Sequence, residues 1–191
     1  MLARSAAFVG LGVAAALALT GCTPGGGSPS PNSGSPSASG ASSTPSTSAT
    51  PAAAFTLPAS CAAIASTATL TALFTDIPSR PANGLTRPAP AGASKTLECS
   101  WFAGDTTGGD VIYYSTTAAA GQAYLTVMQA KGFSCAAALG GTRCDKTTPS
   151  TQYPVDTVET TFTRDNVWIY ISMTNVDATA LLPDMVATAW V

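Results

Sequence analysis

The cysteine pattern constrains the fold of this chain more than any other feature of its sequence. Of its 191 residues five are cysteines, and four of these lie between residues 61 and 144: Cys61, Cys99, Cys135 and Cys144. An even set of cysteines predicts two disulfides in an exported protein, whereas the same residues would stay reduced in a cytosolic one. The fold therefore depends on the compartment, which the N-terminal sequence indicates.

An apolar run, residues 5–20, follows the positive charge of Arg4 and precedes the fifth cysteine. It is shorter than the roughly 20 residues that span a bilayer, and it is typical of a secretory leader. The run ends in Leu19-Thr20-Gly21-Cys22. This tetrapeptide resembles the lipobox of bacterial lipoproteins. The resemblance implies cleavage before Cys22, a diacylglycerol thioether on its sulfur and often an acyl group on its new amine.

The lipobox predicts where the mature protein is held. Two acyl chains give lasting attachment where one gives only reversible binding. We therefore expect a leader over residues 1–21 and a mature protein anchored to the extracytoplasmic face of the cell membrane without spanning it. The alternatives are an ordinary leader with an incidental Cys22, or an uncleaved anchor.

A second segment, residues 22–54, begins with Cys22 and continues with Ser, Pro, Gly, Thr and Ala and a single Asn, without a charged or aromatic residue. Such a composition predicts disorder, because it cannot bury enough apolar surface to offset the entropy of ordering. As a flexible linker it would span about 30 Å. The folded domain is therefore expected over residues 55–191, which is long enough for a hydrophobic core.

Sparse charge excludes several classes of function. The chain has eight Lys and Arg, ten Asp and Glu, and no histidine, for a net charge of −2. No basic patch is available to follow a phosphate backbone, so nucleic-acid binding is not expected. Without histidine there is no Ser-His-Asp or Cys-His arrangement. We assign no catalytic residue and expect no cofactor.

Hydrophobic periodicity predicts an α+β fold, in which an antiparallel sheet packs against about three helices. Helices are expected from 60 to 74 (as one helix or as two short turns capped by Ser60 and Ser66), from 117 to 132 and after an Asp177 cap. Strands are expected at 97–101, 111–115, 135–144 (a hairpin) and on both sides of a turn at 164–166. Residues 76–95 are expected to form a loop and residues 105–110 a turn.

The four domain cysteines can pair in three ways. The stretch CAAALGGTRC predicts a hairpin that turns at Gly140 and Gly141, so Cys135 and Cys144 are expected to meet across it. Cys61 is then left to pair with Cys99. A zinc site is the competing interpretation, but the spacing offers no Cys-x-x-Cys pair and no histidine, so no metal is expected.

The folded part carries a second resemblance. The stretches SCAAIASTATLTALF and ECSW, followed by a helix, a cysteine-bearing hairpin and a closing helix, resemble small actinobacterial-type envelope lipoproteins. They are also similar to the extracellular sensor-like domains attached to some actinobacterial-type membrane kinases. The likeness covers most of residues 59–191 and rests on a helix cysteine and a Cys-x-Trp strand. It implies a two-disulfide α+β envelope domain and supplies no catalytic residue.

Four residues are candidate ligand contacts: Asp105, Asp110, Tyr113 and Tyr114. The two aspartates bound DTTGGD, which offers oxygens to a cation or a sugar; the alternative is a strand-connecting turn. Adjacent tyrosines in a strand point to opposite faces, so at least one is expected to face solvent or a groove. The three tryptophans are expected in the core, and RCDK, residues 143–146, is interpreted as a solvated strand end.

These features favour a non-catalytic, sensor-like domain that binds a cell-wall, lipid or protein ligand at the cell envelope. Two other classes stay open. One is an envelope hydrolase or transferase that uses carboxylates such as Asp105 or Asp110, which would need to lie about 5 to 9 Å apart in a cleft. The other is an accessory subunit of a larger envelope complex. The sequence predicts no oligomeric state.

Overall fold

The computed structural model describes residues 53–191. The leader, the lipobox with Cys22 and most of the linker therefore lie outside the described residues, and the expectations about them stay predictions. No helix between residues 53 and 191 is long and apolar enough to cross a membrane.

A seven-stranded antiparallel sheet forms the centre of the domain. Its strands are β1 (Ser79–Arg80), β2 (Ser94–Ala103), β3 (Thr107–Ser115), β4 (Ser134–Ala138), β5 (Gly141–Pro149), β6 (Asp156–Arg164) and β7 (Val167–Thr174). They lie in the order β1-β2-β3-β7-β6-β5-β4. Within residues 53–191, three α-helices accompany the sheet: α1 (Thr67–Phe74), α2 (Ala118–Ala130) and α3 (Leu181–Ala189). The predicted α+β fold is confirmed.

Side chains alternate across the sheet, so each face has a core of its own. On the first face, called here the α1–α3 face, Val111, Tyr113 and Ile169 pack against α1 and α3. On the second, the α2 face, Ile112 and Trp168 pack against α2 and the preceding loop. Because both faces are covered, the central strands β3 and β7 are buried along nearly their whole length.

Both predicted disulfides are present, Cys61–Cys99 and Cys135–Cys144. The first joins a short 3₁₀ turn, Cys61–Ala63, to β2. The second joins residues that lie opposite each other in the β4–β5 hairpin. That hairpin turns at residues 139 and 140, one residue earlier than expected.

The helical segment expected at 60–74 consists of two parts, the 3₁₀ turn and α1. Of its two expected caps, Ser66 caps α1 by accepting from the backbone N–H of Thr69, whereas Ser60 makes no side-chain cap bond. Two other boundaries differ from the predictions. Asp177 does not cap α3, which begins at Leu181 without a side-chain cap; Asp177 accepts two bonds from Thr179 instead. The expected turn at 105–110 is shorter, because β3 already begins at Thr107.

The loop expected at 76–95 contains β1 and a segment, residues 81–93, that covers part of the α2 face. One ion pair to β3 and one charged residue of β2 fasten this segment to the sheet. Arg87 pairs with the buried Asp110, and Lys95 pairs with Glu98, which also accepts from the backbone N–H of Asn83. The Lys95 ammonium is the main cause that lowers the pKa of Glu98. The sparse charges of the chain are thus used partly to hold a loop in place.

Asp184 links α3 to the start of α1. Its Oδ2 accepts from Ser66 Oγ at 2.7 Å and from Ser66 N at 2.8 Å. These donors, above all the Ser66 hydroxyl, hold the pKa of Asp184 below its usual value of 3.8. A carboxylate with a lowered pKa stabilises the fold above that usual value, and the contribution is lost as the pH falls through the folded pKa.

We expect Asp184→Asn to lower the free energy of unfolding by about 1 kcal/mol at pH 7, after allowance for partial exposure. At pH 2.5, below the usual carboxyl pKa of 3.8, the difference between variant and wild type should be smaller, because the contribution of the carboxylate is lost progressively as the pH falls towards its lowered pKa. Urea unfolding at both pH values checks this. The exposed Asp76 between α1 and β1 provides the matched control, Asp76→Asn, and an equal loss at both pH values would contradict the prediction.

Candidate functional site

A cavity of about 280 Å³ lies on the α1–α3 face, where the chain enters α3. Strands β5, β6 and β7 form its floor, and the loop after β7 together with the first turn of α3 forms its wall. Its apolar lining consists of Val158, Ile171, Met173, Val176, Ala178 and Leu182, and its polar lining of Arg143, Thr160, Asp177 and Thr179. The size is close to the lower end of small-molecule sites in proteins.

The cavity exists because α3 begins only at Leu181. The chain leaves β7 at Thr174 and crosses the sheet as a loop before α3 begins, so that loop borders the cavity instead of a helix. Val158 consequently stays 38 % exposed, although it is an apolar strand residue on the side of a core. Apolar surface of this kind at a concave site is typical of ligand contact.

A hydrogen-bonded triad holds the one cationic group of the lining. Arg143 Nε donates to Asp145 Oδ1 at 2.9 Å, and Thr160 Oγ1 donates to the same oxygen at 2.7 Å. The geometry follows from the sheet: Arg143 and Asp145 are two residues apart in β5 and share a face, and Thr160 lies opposite Asp145 in register. Asp145 therefore orients the guanidinium, as a supporting residue orients a ligand-binding group.

An anionic group stands at the loop end of the cavity. Asp177 Oδ1 accepts from Thr179 Oγ1 at 2.9 Å and from Thr179 N at 3.2 Å. The Thr179 hydroxyl is the main cause that lowers the pKa of Asp177, so this carboxyl is ionised at neutral pH. The lining thus combines an apolar floor with an oriented cation on the sheet and an exposed anion on the loop.

The two predicted aspartates lie elsewhere. Asp105 is exposed in the turn between β2 and β3. Asp110 is 1 % exposed on the α2 face, where it pairs with Arg87 and accepts from Ser100 Oγ at 2.8 Å. The carboxylate of Asp110 is thus committed to an ion pair, and among the described residues no contact joins it to Asp105.

The two predicted tyrosines lie on opposite faces of β3, as expected, and both are buried. Tyr113 is part of the α1–α3 core, and burial raises the pKa of its hydroxyl far above the ordinary range. Tyr114 lines a cavity of about 190 Å³ at the end of the sheet, together with Phe55 and Leu57. Of the two, Tyr114 faces a groove and Tyr113 does not.

The three tryptophans belong to the core, as predicted. Trp101 stacks on Phe74 with ring centroids 4.2 Å apart. It also borders an open depression of about 420 Å³ beside α1, which is larger than the candidate cavity but has no charged residue in its lining. The cavity beside α3 is the better candidate site, because a charged, oriented group can select a ligand where neutral apolar surface cannot.

Arg143 is a site residue that the sequence pattern did not reveal, because RCDK alone indicates only a solvated strand end. Its signal was the spacing Arg143-x-Asp145 inside a predicted strand, which places both side chains on the same face. Within residues 53–191 no group of three or more His, Cys, Asp and Glu residues is arranged to hold a metal ion.

Comparison of the chain with known protein families, with curated proteins and with solved structures gives no match. Fold and site define a two-disulfide α+β domain with an amphipathic cavity that can receive a small molecule. A functional assignment has to come from that cavity and from the sequence that precedes the domain.

Proposed function

We propose that this protein is a lipid-anchored envelope lipoprotein whose domain binds a small ligand in the cavity beside α3. The observation that carries the proposal is the combination of an apolar floor with a guanidinium held by Asp145, whose carboxylate also accepts from Thr160. A side chain that is oriented before the ligand arrives loses less entropy on binding. This is the feature that a binding domain needs.

The first described residues of the chain lie at the end of α3 opposite to the cavity. The described chain begins at residue 53, and Phe55 packs on Trp190 with ring centroids 4.8 Å apart. Thr56 N donates to Ala189 O at the C-terminal end of α3. The cavity lies at the other end of this nine-residue helix, which is about 13 Å long. Residue 53, where the described chain begins, therefore lies near the end of α3 that is away from the cavity.

The valine pair Val158 and Val127 provides a direct test of the cavity. Val158 lines it and is 38 % exposed, whereas Val127 lies on α2 and is 40 % exposed. Native mass spectrometry of protein purified from its own envelope should show a retained small molecule in the wild type and in Val127→Trp. It should be lost in Val158→Trp, because the indole fills the cavity. An adduct that survives in Val158→Trp, or is absent from the wild type, would overturn the proposal.

The anchor is tested at Cys22. We expect Cys22→Ala to abolish incorporation of labelled palmitate and to move the protein from the membrane fraction to the soluble envelope fraction or the medium. The physical reason is that the sulfur to be acylated is gone, while nothing in the folded domain changes. Ser28→Ala in the linker is the control and should keep both the label and the membrane fraction. Unchanged palmitate labelling in Cys22→Ala would contradict the lipidation of Cys22.

A further inference from the structure

We infer that the ligand is an amphipathic monocarboxylate: a short aliphatic chain that lies on the apolar floor, with one carboxylate bound by Arg143. This inference rests on the proposed function, since it names the chemical class that the same cavity takes.

The charge of the head group follows from Arg143. It is the only cationic residue in the lining, and the hydrogen bonds it makes within residues 53–191 use Nε alone. Its two Nη groups therefore remain for a ligand. A guanidinium presents parallel N–H groups at the spacing of two carboxylate oxygens, so a carboxylate is the planar anion that matches it.

A single negative charge fits better than two. Asp145 lies against Arg143, and Asp177 stands at the loop end of the cavity. These two carboxylates and one guanidinium together carry a charge of −1, so a dianion such as a phosphate monoester is repelled about twice as strongly as a monoanion, whose single charge is offset by its contact with Arg143.

A cationic head group fits less well, because the anion that would bind it is a poorer partner. Asp177 is exposed and already accepts two bonds from Thr179. An ion pair in contact with water contributes little to binding. Arg143, by contrast, is 31 % exposed at the side chain and sits beside apolar surface.

The length of the chain follows from the volume. A cavity of about 280 Å³ holds roughly nine groups of the size of a water molecule, which corresponds to a six- to eight-carbon acid. The floor beneath it consists of Val158, Ile171 and Met173. A methionine side chain adapts readily to chains of different shape.

Methionine methyl NMR tests this inference in the complete, lipidated chain reconstituted in phosphatidylcholine nanodiscs. Three methionines of the domain report on different places: Met173 in the cavity, Met128 on the α2 face and Met185 on α3. The probes are octanoate, 1-octanol and octylammonium, each at neutral pH, with empty nanodiscs correcting for partition into lipid.

We expect octanoate to shift the Met173 signal saturably and to leave the Met128 signal in place. Arg143→Gln should lower the affinity for octanoate about tenfold or more, in line with the strength of a charge-assisted bidentate pair. It should leave the affinity for 1-octanol unchanged. Arg164→Gln, at the far end of β6, is the matched control and should bind octanoate as the wild type does. Unmoved Met128 and Met185 signals show that each variant is folded.

The outcomes separate this inference from the proposal beneath it. Three results would contradict a monocarboxylate ligand and leave the cavity proposal intact. They are equal binding of octanoate and 1-octanol, tighter binding of octylammonium, or an Arg143→Gln variant that keeps its affinity for octanoate. If no probe moves Met173, the monocarboxylate is also overturned. The cavity proposal is then decided separately by whether Val158→Trp loses the ligand retained from the envelope.

Discussion

Replacing Cys61 and Cys99 together by alanine is expected to lower the free energy of unfolding by about 4 kcal/mol. The two cysteines are 38 residues apart in sequence, and loop-closure entropy implies that a crosslink of that length removes about this much freedom from the unfolded chain. The effect is large because small domains have a net stability of only about 5 to 15 kcal/mol.

The second disulfide is the natural control for this prediction. Cys135 and Cys144 are nine residues apart, so the same entropic relation gives about 3 kcal/mol for their joint replacement by alanine. Urea unfolding followed by tryptophan fluorescence compares the two double variants with the wild type. A loss below about 1 kcal/mol for the Cys61–Cys99 pair, or a larger loss for the hairpin pair, would contradict the entropic explanation.

The structure adds a reason for the order of the two effects. Cys61 lies in a three-residue 3₁₀ turn with no buried residue of its own, and the disulfide to β2 ties that turn to the sheet. Cys135 and Cys144, by contrast, already face each other in a hairpin with its own backbone ladder. The hairpin is therefore less dependent on its disulfide.

Local patterns predicted the parts of the fold that depend on neighbouring residues. The disulfide pairing could be predicted because two glycines indicate the hairpin that joins Cys135 to Cys144. Only Cys61 and Cys99 then remain to pair with each other. The three helices and the main strands followed from periodicity. The segment 81–93 could not be predicted in this way, because it is held by contacts between distant residues: Arg87 with Asp110, and Trp168 Nε1 with Pro88 O at 3.1 Å.

The cavity could not be predicted from the sequence for a related reason. Its lining residues Val158 and Leu182 belong to different elements, and the space between them depends on where α3 begins. The sequence predicts a cap at Asp177, which would extend the helix over the region that the cavity occupies. Because α3 begins later than predicted, the part of the sheet that the helix would have covered borders a cavity instead.

The pair of glycines in DTTGGD, expected in a turn, lies in a strand, and the packing there explains why both residues are glycine. Gly108 and Gly109 lie inside β3, between β2 and β7. Neighbouring backbone leaves no room for a side chain: a Cβ on Gly108 would overlap the Trp101 carbonyl oxygen, and one on Gly109 the Ser172 carbonyl oxygen. Glycine within a strand often marks such a close approach.

Gly109→Ala is consequently expected to destabilise the domain by about 3 kcal/mol, at the upper end for an inserted methyl group in a packed interior. The added Cβ also meets the side chain of Met173, so the β3–β7 pairing and the cavity floor must both shift. Thermal unfolding measures the loss, and the Met173 methyl signal should move even where the variant remains folded.

Gly104→Ala is the matched control, in the turn just before β3. Gly104 has a φ of +64°, and a Cβ added there would have no neighbouring atom within 4 Å. Alanine at this position therefore meets only the left-handed backbone cost of about 1 kcal/mol. The Met173 signal should stay in place in this variant. If Gly109→Ala costs no more than Gly104→Ala, the close approach of β7 to β3 is not what selects glycine at this position, and the floor of the cavity is more adaptable than the packing of Met173 implies.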